Sequence, residues 1–293
     1  MASTTQLKQL INRILLPANL RLDTLTAQRQ EAARLTSLAE AGHFQRPVFP
    51  VPEALQRCDP RPVLSAVDRH TARLRELTQP GAGEFGYRFD NEYFRSPDAE
   101  VYYAMIRHYR PRRIIEIGCG HSTRLARQAI KDGELTTEMV CIDPAPRVEI
   151  AECAHEVIRR RVEELAPDEL ASRLSANDIL FIDSSHEIRT ANDVVFLYLQ
   201  VLPVLKAGVL VHIHDIFLPW DYPEEWVREG GVNWNEQYLV QAMLSLGDRF
   251  NVLWPGHYLQ RTYGDFHKHF PNLHADSRAQ SFWLLTNGGS QRT

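Results

Sequence analysis

Apolar positions along the chain follow two rhythms. Up to about residue 85 they recur at helical spacing between proline-rich connections such as Arg46-Pro-Val-Phe-Pro-Val-Pro, and no run carries a strand signal. From about residue 100, short continuous apolar runs alternate with helical segments. Such runs fit strands buried on both faces, so the alternation predicts a parallel sheet with helices on either side. The spacing predicts strands over Arg113–Ile117, Met139–Ile142, His155–Val162, Asp178–Ile182 and Val209–His214. It predicts helices over Asp98–His108, Ser122–Ile130, Pro167–Arg173 and Ala191–Val204. Two later segments, Phe250–Leu253 and Ser281–Leu285, add a hairpin-like pair at one sheet edge. The expected fold is α/β: a doubly wound, mostly parallel, seven-stranded sheet in residues 86–293, preceded by a helical extension over residues 1–85.

The first strand runs into a tight turn, Glu116-Ile-Gly118-Cys-Gly120-His-Ser122-Thr. In a strand–turn–helix the first glycine lets the chain reverse, the second lets the backbone approach a ligand, and the helix start offers free N–H groups. A dinucleotide fingerprint would have a third glycine where Thr123 stands, and Glu116 would repel a pyrophosphate. A carboxylate there suits a cation such as the ammonium of S-adenosylmethionine. The second strand ends in Asp143, placed to accept both hydroxyls of a ribose, although an acid before Pro144 also suits a plain turn. Glu116, Gly118, Gly120, Ser122 and Asp143, with Val162 at the end of the third strand, form the expected cofactor-binding set.

Strands four and five end in Phe181-Ile-Asp183-Ser-Ser-His186 and Val211-His-Ile-His214-Asp215. Open α/β sheets bind ligands at these carboxyl ends, so Asp183, His186, His214 and Asp215 are expected to converge. Each acid alone could be a helix cap or a loop residue. Together, two carboxylates and a histidine beside a cofactor favour a divalent metal, expected on Asp183, His214 and Asp215; a histidine ligand points away from Mg²⁺ toward manganese, iron or zinc. His186 has the ordinary pKa of a general base at neutral pH, or else serves as a structural neighbour of the metal. His212 reads as a hydrogen-bonded core residue. The aromatic and amide-rich stretch from Pro219 to Tyr238 reads as a lid or substrate wall, with core packing as the plain reading of its tryptophans.

Composition narrows the partners. With 293 residues, 44% hydrophobic and 24% charged, the chain can bury one large core and a smaller attachment. A net charge of −4 and no basic, aromatic-interleaved stretch point away from nucleic acid and from anionic membranes, leaving a small-molecule acceptor. Association into a homo-oligomer stays open. Cys58, Cys119, Cys141 and Cys153 show no paired spacing, and the first residues lack an apolar signal core, so reduced thiols in the cytoplasm are expected.

The turn, Asp143-Pro, Phe181-Ile-Asp183-Ser-Ser-His186 and Val211-His-Ile-His-Asp215 together resemble class I S-adenosylmethionine-dependent methyltransferases, over roughly residues 85–290, and most of all the bacterial small-molecule type related to macrolide-sugar O-methyltransferases. The resemblance implies that Asp183 and Asp215 hold a divalent metal and that His186 is the base. Where relatives place an acid before Asp215, this chain has His214. Three alternatives stand beside hydroxyl methylation: a metal-independent N- or carboxyl-methyltransferase, an iron oxygenase using His186, His214 and one carboxylate, and a non-catalytic S-adenosylmethionine-binding protein.

Overall fold

A computed structural model describes residues 4–79 and 81–288. All seven expected strands are present: β1 (Arg113–Ile117), β2 (Glu138–Ile142), β3 (Glu156–Ile158), β4 (Ile179–Ile182), β5 (Leu210–Ile213), β6 (Phe250–Pro255) and β7 (Phe282–Thr286). They lie in the order β3-β2-β1-β4-β5-β7-β6. The first five run parallel, and β7 is antiparallel to both β5 and β6. Alternate residues of the central strands enter two cores. Ile115, Val140, Leu180 and Val211 fill one, and Ile114, Met139, Ile179 and Phe181 fill the other. Burial on both faces is why these strands read as continuous apolar runs.

Two expected elements are shorter than their apolar patterns. β3 stops at Ile158 because Arg159-Arg160-Arg161 follows, and three successive cations cannot continue a buried strand. Val162 therefore sits in a short 3₁₀ turn, Val162–Glu164. The segment expected as one helix over Ala191–Val204 starts at Asp193, where the Asn192 side chain caps the Val195 N–H, and passes through a π turn, Leu197–Val201, into a 3₁₀ turn containing Pro203. Proline lacks the N–H that an α-helical ladder needs there. Between β6 and β7 lie a helix, Gly256–Thr262, and a 3₁₀ turn, Phe266–His269, so the edge pair is antiparallel without being a tight hairpin.

The chain forms two compact units. One holds residues up to 46 with 223–232, the other residues 47–222 with 233 onward. The boundary expected at residue 85 thus falls inside the sheet unit. Its early helices, α3 (Glu53–Gln56), α4 (Arg61–Asp68) and α5 (Thr71–Glu76), follow the first unit's α1 (Thr4–Leu15) and α2 (Thr26–Glu40). They bury Leu55, Val63, Leu64, Val67 and Leu74. α6 (Asp98–Tyr109) and α7 (His121–Asp132) then cover one face of the sheet. All four cysteines are free thiols. Among the described residues no helix is long and apolar enough to cross a membrane.

Candidate active site

Strand register builds the frame of the site. Ile117, Ile142, Ile182 and Ile213 are aligned across β1, β2, β4 and β5. The residues that follow them, Asp143, Gly118, Asp183 and His214, therefore leave the carboxyl edge side by side. The ladder holds for one more rung: the Gly118 N–H donates to the Ile142 carbonyl (3.1 Å), that of Asp183 to Ile117 (2.9 Å) and that of His214 to Ile182 (2.9 Å). Strand order reverses between β1 and β4, which is where open α/β sheets bind their ligands.

The glycine turn is held from below by Glu116. This side chain is wholly buried, accepts a short hydrogen bond from the Thr123 hydroxyl through Oε2, and leaves Oε1 without a partner. Thr123 in turn accepts the Gly120 N–H at 2.9 Å. Burial pushes the Glu116 carboxyl up to about 8, against the Thr123 hydrogen bond that favours its charge. Gly118 has φ +78°, a left-handed conformation that glycine adopts without cost. Gly120 is extended, so its glycine answers a different need: a Cβ there would meet no atom within 4 Å. The turn presents an open face. Asp143 accepts the Cys119 N–H on Oδ2 (2.9 Å) and the Ala145 N–H on Oδ1 (2.7 Å), and both oxygens keep further acceptor capacity. Val162 lies in the apolar core with Ile142, not at the turn.

Beside the turn, His186 stands among three carboxylates. Its Nδ1 is 2.8 Å from Glu236 Oε2, and its Nε2 is 3.1 Å from Asp183 Oδ1 and 3.4 Å from Asp215 Oδ2. Burial opposes charge on the ring, but the hydrogen bonds to Asp183 and Glu236 raise the imidazole well above its usual pKa. Asp183 is half-buried; desolvation works against its charge, but its hydrogen bond to His186 and the nearby His214 lower it to about 2, and burial raises Asp215. Both His186 (φ 58°) and Asp215 (φ 59°) adopt the left-handed backbone uncommon outside glycine. The His186 carbonyl accepts the N–H groups of Asn235 (2.9 Å) and Glu236 (3.1 Å), which holds that turn in place. The Trp234 ring lies 4.3 Å from the His186 ring, centroid to centroid.

His214 acts on this group through its charge but stands outside its close-packed ligand atoms. The ligand atoms of Asp183, His186 and Asp215 lie within 4.8 Å of one another, whereas His214 remains in the sheet register and points to the face shared with His212 and Phe94. Neither ring nitrogen of His214 finds a hydrogen-bond partner among the described residues. Of the three residues expected to hold a metal, Asp183 and Asp215 stand together in this group, while His214 stays on the ladder. His212 is core, as expected, stacked on Trp283 at 4.9 Å, but its nitrogens are not hydrogen-bonded.

Residues 115–216, spanning the turn, Asp143, Asp183, His186 and Asp215, match the family model described as a methyltransferase domain. Over these residues, about a third of the chain, the sequence is that of a methyltransferase domain. The chain is similar in structure to a putative O-methyltransferase from Klebsiella pneumoniae (14% identity, covering 89% of this chain and 100% of that one, TM-score 0.41). It is also similar to an O-methyltransferase from Bacillus cereus in complex with SAH (15% identity, 76% and 91% covered, TM-score 0.39). A third similar structure is an SAH-bound Podospora anserina methyltransferase (16% identity, 92% and 98% covered, TM-score 0.39). No curated protein matches the sequence.

Two residues of the methyltransferase site escape sequence reasoning. Thr123 looks like ordinary first-turn helix content but links the turn to Glu116. Glu236 opens the helix Glu236–Leu246, where an acid is expected simply because it complements the helix dipole. The one available signal is its place in the Trp234-Asn235-Glu236-Gln237 run, close after the residues that end β5.

Proposed function

We propose that this methyltransferase transfers a methyl group from S-adenosylmethionine to a hydroxyl of a small-molecule acceptor, as a step in small-molecule biosynthesis. The observation that carries this reading is the buried, unpartnered Oε1 of Glu116 under an open glycine turn. A buried carboxylate of that kind is completed by a cation, and the cofactor's ammonium is a cation of suitable size beside a nucleoside. Glu116, Ser122 and the Gly118–Gly120 turn would hold the aminoacyl end, and Asp143 the ribose.

When bound, S-adenosylmethionine supplies an electrophilic methyl group, and a divalent ion on Asp183 and Asp215 would supply acidity to the acceptor hydroxyl. Two carboxylates without His214 form an oxygen-rich set that suits Mg²⁺ or Mn²⁺ better than Fe²⁺ or Zn²⁺. His186 donates Nδ1–H to Glu236, which orients Nε2 toward Asp183 and Asp215; those two carboxylates, their charge offset by a cation, would no longer keep the ring protonated and so would free Nε2 to accept the acceptor's proton. Trp234 covers the ring and keeps water from it. One observation favours a metal-independent version of the same transfer: the His186 ring itself faces both carboxylates, at 3.1 and 3.4 Å. An oxygenase needs two histidines and one carboxylate, the reverse of this cluster.

Calorimetric titration with S-adenosylmethionine and S-adenosylhomocysteine, paired with methyl-transfer assays on sugar and phenol acceptors, tests the proposal. Binding that weakens in Glu116→Gln supports the cofactor assignment, and no binding of either nucleotide overturns it. Turnover that a chelator abolishes and Mg²⁺ or Mn²⁺ restores supports the metal role. Full turnover in chelator favours the metal-independent version.

A further inference from the structure

The first unit of the chain is inside out. From residue 6 to residue 40 no residue is buried, yet α1 is amphipathic, with Leu7, Leu10 and Ile14 on one stripe at the i, i+3, i+7 spacing of a packed helix. The segment after α1 folds back on it through polar groups. The Asn12 side chain donates to the Leu22 carbonyl (2.9 Å) and accepts the Leu22 N–H (2.6 Å), Lys8 pairs with Asp23, and Arg21 lies 3.2 Å from the same acid. Polar contacts are thus satisfied within the arm, and its aliphatic side chains face water. Leu7, Leu10, Ile14, Leu16, Leu20 and Leu25 are each 53–73% exposed.

An isolated helix of 12 residues is marginal in water, so α1 needs an apolar partner. The six side chains together offer roughly 400 Å² of apolar surface. A homodimer interface of about 800 Å² per partner, two-thirds apolar, uses about 500 Å². The area is therefore what one more copy of the same arm would cover. Composition favours that occupant over a lipid surface: residues 1–43 contain no Phe, Tyr or Trp, and the stretch up to residue 25 has only Lys8, Arg13 and Arg21 as cations against Asp23. Membrane-surface helices are rich in basic residues and commonly carry aromatics.

We propose that residues 4–25 form a self-complementary arm through which two copies of the chain associate, α1 stripe against α1 stripe, about a twofold axis. Sedimentation equilibrium of the full chain at micromolar concentration is expected to give about twice 33.7 kDa. Leu10→Glu/Ile14→Glu should sediment as a monomer while binding S-adenosylhomocysteine as the parent does, since neither residue belongs to the site. Ile14→Cys should give a covalent dimer on mild oxidation. A parent chain that sediments at 33.7 kDa, or a dimer that survives the double substitution, overturns the proposal. So does a monomer that cosediments with phosphatidylserine vesicles through the same two residues.

Discussion

The backbone of Asp183 occupies the space that a side chain on Gly118 would need: a Cβ built on Gly118 would stand 1.8 Å from the Asp183 carbonyl oxygen. The glycine turn and the carboxyl end of β4 are thus packed as one body. Gly118→Ala is expected to lose more than about 4 kcal/mol, since a left-handed alanine alone costs about 1–2 kcal/mol and the colliding atom is backbone. Thermal unfolding would read this. Gly120→Ala meets nothing and should change stability by less than about 1 kcal/mol while weakening cofactor binding. Equal destabilisation by the two substitutions would refute the assignment.

Glu236 should act through His186 rather than on substrate. Glu236→Ala is expected to lower turnover roughly 10- to 100-fold, as loss of an orienting carboxylate does elsewhere, with cofactor affinity unchanged. Glu236→Gln keeps an acceptor oxygen for Nδ1–H and should recover part of the rate. Steady-state kinetics beside calorimetry separates this from general damage, which would lower both quantities together.

Glu116→Gln keeps the shape but cannot ionise when a cation binds against it. A charge-assisted hydrogen bond contributes about 1.5–3 kcal/mol, so cofactor affinity should fall roughly 10- to 100-fold. Stability should hold or rise, because a neutral amide is easier to bury than the carboxylate. Unchanged affinity would remove Glu116 from the cofactor site.

Much of this site was legible because strand ends carry their own signals. Asp143, Asp183 and the glycine turn close apolar runs whose register is set by burial, so their meeting along one edge follows from the sheet alone. His214 and Asp215 show the limit of that reasoning. They are chain neighbours at the end of one strand, and whether the site takes one or both depends on where the backbone leaves the ladder, which no residue type announces. Glu236 is harder still, since it reaches His186 from a helix 50 positions downstream. The early helices α3 to α5 carry helical patterns in the sequence, but their burial against the sheet comes from tertiary packing that local periodicity does not encode.

A buried acid outside the site gives the molecule a pH signature. Glu100, on α6, is fully buried, its oxygens have no hydrogen-bond partner among the described residues, and burial pushes its carboxyl up to about 7. The folded state therefore holds this proton more tightly than the unfolded chain, whose carboxyl titrates near 4.3. Stability falls as pH rises from about 4.5 to 7, by roughly 3 kcal/mol in all. Glu100→Gln should unfold at a higher temperature than the parent at pH 8 and close to it at pH 4.5. Parallel melting curves for the two proteins across that range would rule this out.

The antiparallel end of the sheet sets a clock on synthesis. β7 lies between β5 and β6, so neither neighbour is complete until Phe282–Thr286 has been made. At 5–20 residues per second, the outer edge of β5 stays unpaired for roughly 4–15 s while the intervening segment is translated. An open edge of that kind is where a nascent chain pairs with the wrong strand, so the ribosome-bound chain is the form of this protein most in need of a chaperone.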